Sequence, residues 1–226
     1  MKKTLIVLVL IAALLGGAFL YMTRPVSAPS TTTENDTQTV PSEQPASADI
    51  QTYTLDSSRS EAKFEINEVL NNEPFRVVGT TNDVTGEINL NPSNPDLTDT
   101  SVIRINARTL KTDSTRRDGM IGRLILKSEA NEFITFAPQS FSGLPENPQV
   151  GQEYSFTTLG TLSIAGTSRD VTFTVRAKAN SESEIQGVAT SSVNYTDFSL
   201  TIPSVPMVAS VEEQVDLTFS FVAVKK

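Results

Sequence analysis

Apolar and polar residues alternate along most of the chain after Tyr53, which is the period of a β-strand with one buried face. Ala62, Phe64 and Ile66 form one such apolar row, and charged or polar residues separate them. The same alternation recurs at residues 84–90, 103–108, 171–177 and 215–221. Because clean alternation requires one wet face, the pattern predicts antiparallel sheet rather than buried parallel sheet.

Two long predicted strands indicate how the sheet closes. Residues 154–164 and 168–179 flank a tight turn, and each would extend for about 30 Å. Long hairpins favour an up-and-down barrel over the compact strands of an immunoglobulin-like sandwich. The predicted fold class is therefore all-β, an extended antiparallel barrel of about eight strands. Its inward residues would either pack solid or enclose an apolar ligand.

One stretch within residues 109–136 follows a helical period instead. Side-chain oxygens at residues 112–114 can cap a first turn. Gly119 and Gly122 each cost about 1 kcal/mol relative to Ala inside a helix, so the helix needs a docked apolar face. We expect it either to close one end of the barrel or to pack on an ordinary core. The predicted apolar face comprises Met120, Ile121, Leu124 and Ile125.

The start of the chain predicts a membrane anchor or signal segment at residues 1–23. Lys2 and Lys3 precede an apolar run at residues 5–22, which as a helix would extend for about 27 Å, close to the thickness of a hydrocarbon core. A cleaved signal with its site at residues 26–28 is the alternative, although Pro29 would hinder cleavage. The positive-inside rule then puts the rest of the chain in the periplasm or at the cell surface, or outside the cell if the leader is cleaved.

Residues 24–50 have a different composition, rich in Thr, Ser, Pro, Gln and Glu, with hardly a large apolar side chain. Such a segment cannot bury enough apolar surface to offset its ordering entropy, so it is predicted to be a disordered tether. No second linker of this kind follows. Residues 51–226 are therefore predicted to form a single domain with its own core.

The composition removes most catalytic chemistry. The chain has no cysteine and no histidine, which excludes disulfides and thiolate sites and removes the commonest general base. Its net charge of -8 argues against a nucleic-acid partner. Glu129 and Glu132 could act as the carboxylate pair of a hydrolase, but they fall in a polar stretch where solvated charge is the default. We predict a protein that is not an enzyme and that uses no metal and no cofactor.

Short motifs occur in a fixed order between Tyr53 and Val224. The first are Tyr53-Thr54-Leu55-Asp56, Ser60-x-x-x-Phe64, Val78-Gly79 and Gly86-x-Ile88. Thr112 with Arg117-Asp118-x-x-Ile121 follows, and then Phe133-Ile134-Thr135-Phe136. The last are Gly160-x-Leu162-Ser163-Ile164-Ala165-Gly166-Thr167, Asp197-Phe198-Ser199 and residues 211–215. In order and spacing, this series resembles the YceI-like, polyisoprenoid-binding domain family.

The resemblance implies an extended, lipocalin-like barrel whose cavity holds an isoprenoid chain or a similar amphiphile, without catalysis. The sequence departs from the family pattern at two positions. Met120 and Ala165 stand where the family often has histidine. Any head-group contact made by those imidazoles is lost, so the ligand is expected to be different or more apolar.

The inward rows and the helix supply the candidate lining of such a cavity. Ordinary core packing is the alternative for about half of these residues, because any barrel buries alternate side chains. Met120 is the most informative, since a flexible thioether fits an irregular chain. The candidates are Phe64, Ile66, Ile105, Met120, Leu124, Phe136, Leu162, Phe173, Phe198 and Phe219.

Other interpretations stay open. Arg117 and Asp118 are expected to make structural hydrogen bonds between the helix and neighbouring loops rather than to act as a catalytic or anion-binding pair. A module that binds protein or glycan through exposed loops is the alternative to a lipid-binding barrel. The expected partners are a long-chain lipid and, through the N-terminal helix, the membrane. The oligomeric state is left open, with a homodimer as one alternative.

Overall fold

The computed structural model describes residues 51–90, 102–145, 148–206 and 208–226. The predicted anchor at 1–23 and the predicted tether at 24–50 lie outside the described residues. Within those four ranges, no helix is both long and apolar enough to cross a membrane.

Eleven strands, all paired antiparallel, make up one sheet in the described part of the chain. The period of two is visible in burial: Val171, Phe173 and Val175 are buried while the residues between them are exposed. The strands are β1 (Gln51–Leu55), β2 (Glu61–Leu70), β3 (Glu73–Thr81), β4 (Val84–Thr85), β5 (Glu87–Leu90), β6 (Ile103–Asn106), β7 (Phe133–Ser142), β8 (Glu153–Ile164), β9 (Thr167–Ser181), β10 (Glu184–Asn194) and β11 (Val208–Lys225).

The sheet curls into a nearly closed barrel, which confirms the predicted fold class. Strands β6 to β11 are neighbours in chain order, β11 pairs with β1, β1 pairs with β5, and β4 pairs with β6. The strand count is higher than the predicted eight, in part because the row at 84–90 divides at Gly86 into β4 and β5 and because β1 adds a short strand. A Cβ atom at Gly86 would lie 3.2 Å from Ile103 Cα, so the backbones approach closely at this division.

The long strand β11 pairs with two different strands along one of its edges. Its earlier part pairs with β2 as far as Ser220, and its end pairs with β1 from Ala223 to Lys225. The sheet therefore forks at this edge of β11, where β2 and β1 follow one another. The outer edge of the hairpin of β2 and β3 is held by Thr80 and Lys111, whose backbone N–H groups each donate to the other's carbonyl over 2.9 Å.

The predicted helix is present as α1 (Thr115–Met120), with Ser114 as its N-cap. It continues as one wide π-helical turn (Ile121–Ile125), closed by the Leu126 N–H donating to the Ile121 carbonyl over 2.8 Å. A π turn holds more residues than an α turn, so the inward stripe shifts along the sequence. The prediction that Leu124 faces inward is wrong: Leu124 is 55% exposed, whereas Leu126 is 8% exposed.

The buried hydrophobic core runs through the barrel from Tyr53 to Ala223. Phe198, in the short 3₁₀ helix Tyr195–Phe198, is the largest fully buried side chain of the described residues. Residues 46–226 form a compact unit. Because this unit has its own core, we treat it as a domain that folds independently.

Candidate functional site

Two cavities lie inside the barrel, at successive positions along the strands. The larger one, the helix cavity, has a volume of about 540 Å³. Its walls come from α1 and the π turn, from β2, from residues 198–206 and from β11 up to Leu217. All but five of its lining residues are apolar. This size and this lining are typical of pockets for small apolar ligands, which occupy roughly 300–1,000 Å³.

The second cavity, the distal cavity, has a volume of about 290 Å³. It takes its walls from strands β5 to β11, from part of β2 and from the loop residues Leu144, Pro145 and Pro148. The order along one strand fixes the arrangement: Tyr154 at the start of β8 lines only the distal cavity, and Ile164 at its end lines both. The two cavities therefore follow one another along the barrel.

Five apolar residues line both cavities and form the waist between them: Phe64, Leu110, Ile134, Ile164 and Leu217. They come from four strands and from the segment before α1. A long ligand that filled both cavities would have to pass this ring of side chains.

Nine of the ten candidate residues line a cavity, and Leu124 does not. The structure brings Ile66, Met120 and Phe198 together in the helix cavity, and Phe64 in the waist. The distal cavity takes the rest. These are Ile105, Phe136, Leu162, Phe173 and Phe219.

Sequence reasoning missed the wall formed by residues 200–206 between the 3₁₀ helix and β11. Leu200, Ile202 and Val205 line the helix cavity there, together with two prolines. The sequence feature that could have indicated this wall is an apolar, proline-containing stretch that is too irregular for a strand. Periodicity does not detect such a segment, because its residues have no repeating geometry.

Arg117 and Asp118 do not pair with each other, and both tie α1 to its surroundings as predicted. Asp118 Oδ1 accepts from the Thr112 backbone N–H over 2.8 Å and from its hydroxyl over 2.7 Å. Arg117 pairs with Asp113 and, over 3.2 Å, with Glu68 on β2. Its guanidinium lies 5.5 Å from the centre of the Phe75 ring on β3. Arg117 therefore docks the helix on the hairpin of β2 and β3, and Asp118 ties it to the segment that precedes it.

The candidate carboxylate pair of a hydrolase does not converge on a cleft. Glu132 lies 3.4 Å from Arg108, which also donates to the backbone carbonyls of Ser128 and Glu129. Glu129 is exposed, and neither carboxylate lines the helix cavity or the distal cavity. No group of residues in the described ranges has the composition and proximity to hold a metal ion.

The fold and the two apolar cavities define a class: hollow antiparallel barrels whose interior can hold an apolar ligand. The model of one family, the YceI-like domain, matches residues 53–223. The chain belongs to the YceI-like domain family. No curated protein matches it by sequence.

Solved structures share this fold at low sequence identity. A polyisoprenoid binding domain from Saccharophagus degradans, implicated in plant cell wall breakdown, is 12% identical with a TM-score of 0.61, over 77% of this chain and 98% of that one. Burkholderia cenocepacia BcnA is 15% identical with a TM-score of 0.59, over 75% and 99%. A Campylobacter jejuni YceI protein is 17% identical with a TM-score of 0.52, over 66% and 84%.

Proposed function

We propose that this protein binds a long-chain apolar or amphiphilic lipid, of the polyisoprenoid kind, inside its barrel and catalyses no reaction on it. The observation that carries the proposal is the helix cavity, with about 540 Å³ of space lined mostly by apolar side chains. A solid core would have filled this space, since protein interiors are packed to crystal-like density. An unfilled apolar interior of this size favours a ligand.

Two further observations support a long ligand in particular. The helix cavity and the distal cavity share the waist residues, so their spaces lie end to end. A solved structure of the same fold is that of a polyisoprenoid binding domain. In this proposal the tail contacts Met120, Phe198 and Ile66 first and reaches Phe136 and Phe173 beyond the waist.

We also propose that the domain is held outside the cytoplasm on its N-terminal segment. The support is the lysine pair before an apolar run at residues 5–22 and the polar stretch at 24–50. Protease treatment of spheroplasts tests this arrangement. Protease added to intact spheroplasts is expected to digest the protein. In untreated samples the full chain should be recovered in the membrane pellet. Protection from protease would contradict it.

A displacement titration tests the binding itself. The chain has no tryptophan, so a fluorescent polyene fatty acid can be followed in delipidated residues 46–226 with little background. Geranylgeraniol, an isoprenoid alcohol with no charge, is expected to displace the polyene at a stoichiometry of one. If neither the polyene nor geranylgeraniol bound, the proposal would fail, and a loop-mediated surface module would become the better account.

A further inference from the structure

Four of the five waist residues are held in place by the pairing of the backbone around them. Ile134 and Ile164 lie on the paired strands β7 and β8, and Leu217 lies within the long pairing of β11 with β10. Leu110 belongs to no strand, but the residues on either side of it are bound to β3 through a hydroxyl–hydroxyl hydrogen bond of 2.6 Å and two backbone hydrogen bonds. The fold therefore fixes most of the wall at the waist.

The fifth waist residue, Phe64, has its ring placed by a glycine. Phe64 is directly paired with Gly79 on β3, so a side chain at Gly79 would lie on the same face of the sheet as the ring. A Cβ atom at Gly79 would lie 2.2 and 2.5 Å from two carbons of the Phe64 ring, much closer than carbon atoms pack. The ring therefore rests against the bare backbone of β3.

The neighbours of Phe64 determine where a displaced ring would go. On its other side Phe64 is directly paired with Leu217, which blocks movement of the ring toward β11. The residues next to it on the same face of β2 are Ala62, which lines the distal cavity, and Ile66, which lines the helix cavity. A ring displaced from Gly79 would therefore move into the interior, where the two cavities meet.

From this geometry we infer, on the basis of the proposed function, that Gly79 is a positioning residue that decides how long a tail the barrel accepts. Because Gly79 has no side chain, the Phe64 ring lies against the wall and the waist admits a hydrocarbon chain. With a larger residue at this position the ring closes the waist and confines the tail to the helix cavity. Selection of tail length thus depends on a residue that lines neither cavity.

The cavity volumes indicate which tails need the passage. A methylene group takes about the volume of one water molecule in the liquid, roughly 30 Å³, so the helix cavity of about 540 Å³ holds about 18 carbon atoms. The distal cavity, of about 290 Å³, holds about ten more. Farnesol, with three isoprenoid units, therefore fits in the helix cavity alone, whereas geranylfarnesol, with five, needs both cavities.

Farnesol and geranylfarnesol test the inference, because they share one head group and differ only in tail length. Both are titrated into delipidated residues 46–226 by displacement of the polyene probe, at a temperature where circular dichroism shows each variant to be folded. Wild type is expected to bind geranylfarnesol at least about tenfold more tightly than farnesol, since the longer tail buries more apolar surface. Gly79→Ala is expected to reduce this ratio to about one while changing farnesol binding by less than about threefold.

Two further variants separate the passage from general stability. The double variant Gly79→Ala with Phe64→Leu removes the obstructing ring and should restore a ratio of at least about fivefold. Val78→Ala is the matched control on the same strand, because its side chain is exposed and lines neither cavity. This variant should keep the wild-type ratio.

Equal binding of the two alcohols by wild type would overturn the inference, as would a wild-type ratio that survives Gly79→Ala. A ratio that stays near one in the double variant would also overturn it, because the Phe64 ring would then not be the obstruction. If Gly79→Ala does not fold, Leu217→Phe narrows the waist from β11, and a ratio unchanged in that variant would overturn the inference as well. Failure of both alcohols to bind to wild type would instead overturn the proposed function.

Discussion

The ring of Phe64 occupies the space that a side chain on Gly79 would need. The two residues are directly paired across β2 and β3, and a Cβ atom on Gly79 would lie 2.2 Å from Phe64 Cε1. Phe221 stands in the same relation to Gly187 across β11 and β10, with Phe221 Cζ 2.7 Å from the position of a Cβ. An aromatic ring paired with a cross-strand glycine can lie flat against the backbone of the barrel wall. It then leaves room in the interior.

The first prediction concerns this pair. Gly79→Ala should destabilise the domain by about 1–3 kcal/mol, because the added methyl group displaces the Phe64 ring in a packed site. Phe64→Leu removes the ring, so the double variant should lose at least about 0.5 kcal/mol less than the two single changes combined. Urea unfolding of the four proteins measures both quantities. Strict additivity would mean that the ring and the glycine are not coupled.

The second prediction concerns Met120 in the helix cavity. Met120→Asp places a carboxylate against an apolar tail, and desolvating that charge should weaken geranylgeraniol binding at least about tenfold. Leu124→Asp is the matched control on the same helix, because Leu124 is exposed and lies outside both cavities. It should bind as wild type does. A loss of folding stability as large as the loss of binding free energy would make Met120 an ordinary core residue.

The third prediction tests the π turn. Leu126→Ala should cost about 2–5 kcal/mol of unfolding free energy, as is usual for a buried leucine, while Leu124→Ala should cost less than about 0.5 kcal/mol. The reason is the register imposed by the bond from Leu126 N–H to the Ile121 carbonyl. Thermal and urea unfolding of the two variants are the measurements. If Leu124→Ala cost more unfolding free energy than Leu126→Ala, the result would contradict the π turn and favour the uniform α-helix that the sequence predicts.

The fourth prediction concerns acid stability. A hydrogen bond from Lys63 and the charge of Arg76 lower the pKa of Glu65, and hydrogen bonds from Ser192 and Gln214 lower the pKa of Asp216. Below about pH 4.5 the unfolded chain therefore binds more protons at these groups than the folded one. The stabilisation they provide is complete above that pH and is lost as the pH falls through the folded-state pKa values.

Unfolding free energies measured from pH 7 to pH 3 check the effect. Glu65→Gln should make the decline below about pH 4.5 shallower, because one of the linked groups no longer titrates. A slope for Glu65→Gln identical to that of wild type would exclude a contribution from Glu65.

The sequence predicted the barrel well because period-two alternation follows directly from strand geometry. Phe136 and Phe173, both predicted lining residues, do meet inside the barrel with their ring centres 4.9 Å apart. The position of Leu124 was not predictable in this way, since a single π turn interrupts the 3.6-residue period over too few residues to leave a pattern in the sequence. The wall at residues 200–206 was not predictable either, because its residues have no repeating geometry.

The proposed function requires the barrel interior to hold a long-chain lipid. Native mass spectrometry of residues 46–226, expressed in bacteria and purified without added lipid or detergent, tests it most directly. A non-covalent adduct is expected, and solvent extraction should release a long-chain isoprenoid or related amphiphile in a ratio near one per protein. A protein that is ligand-free as purified, and that also gains no adduct after incubation with geranylgeraniol, would contradict the claim.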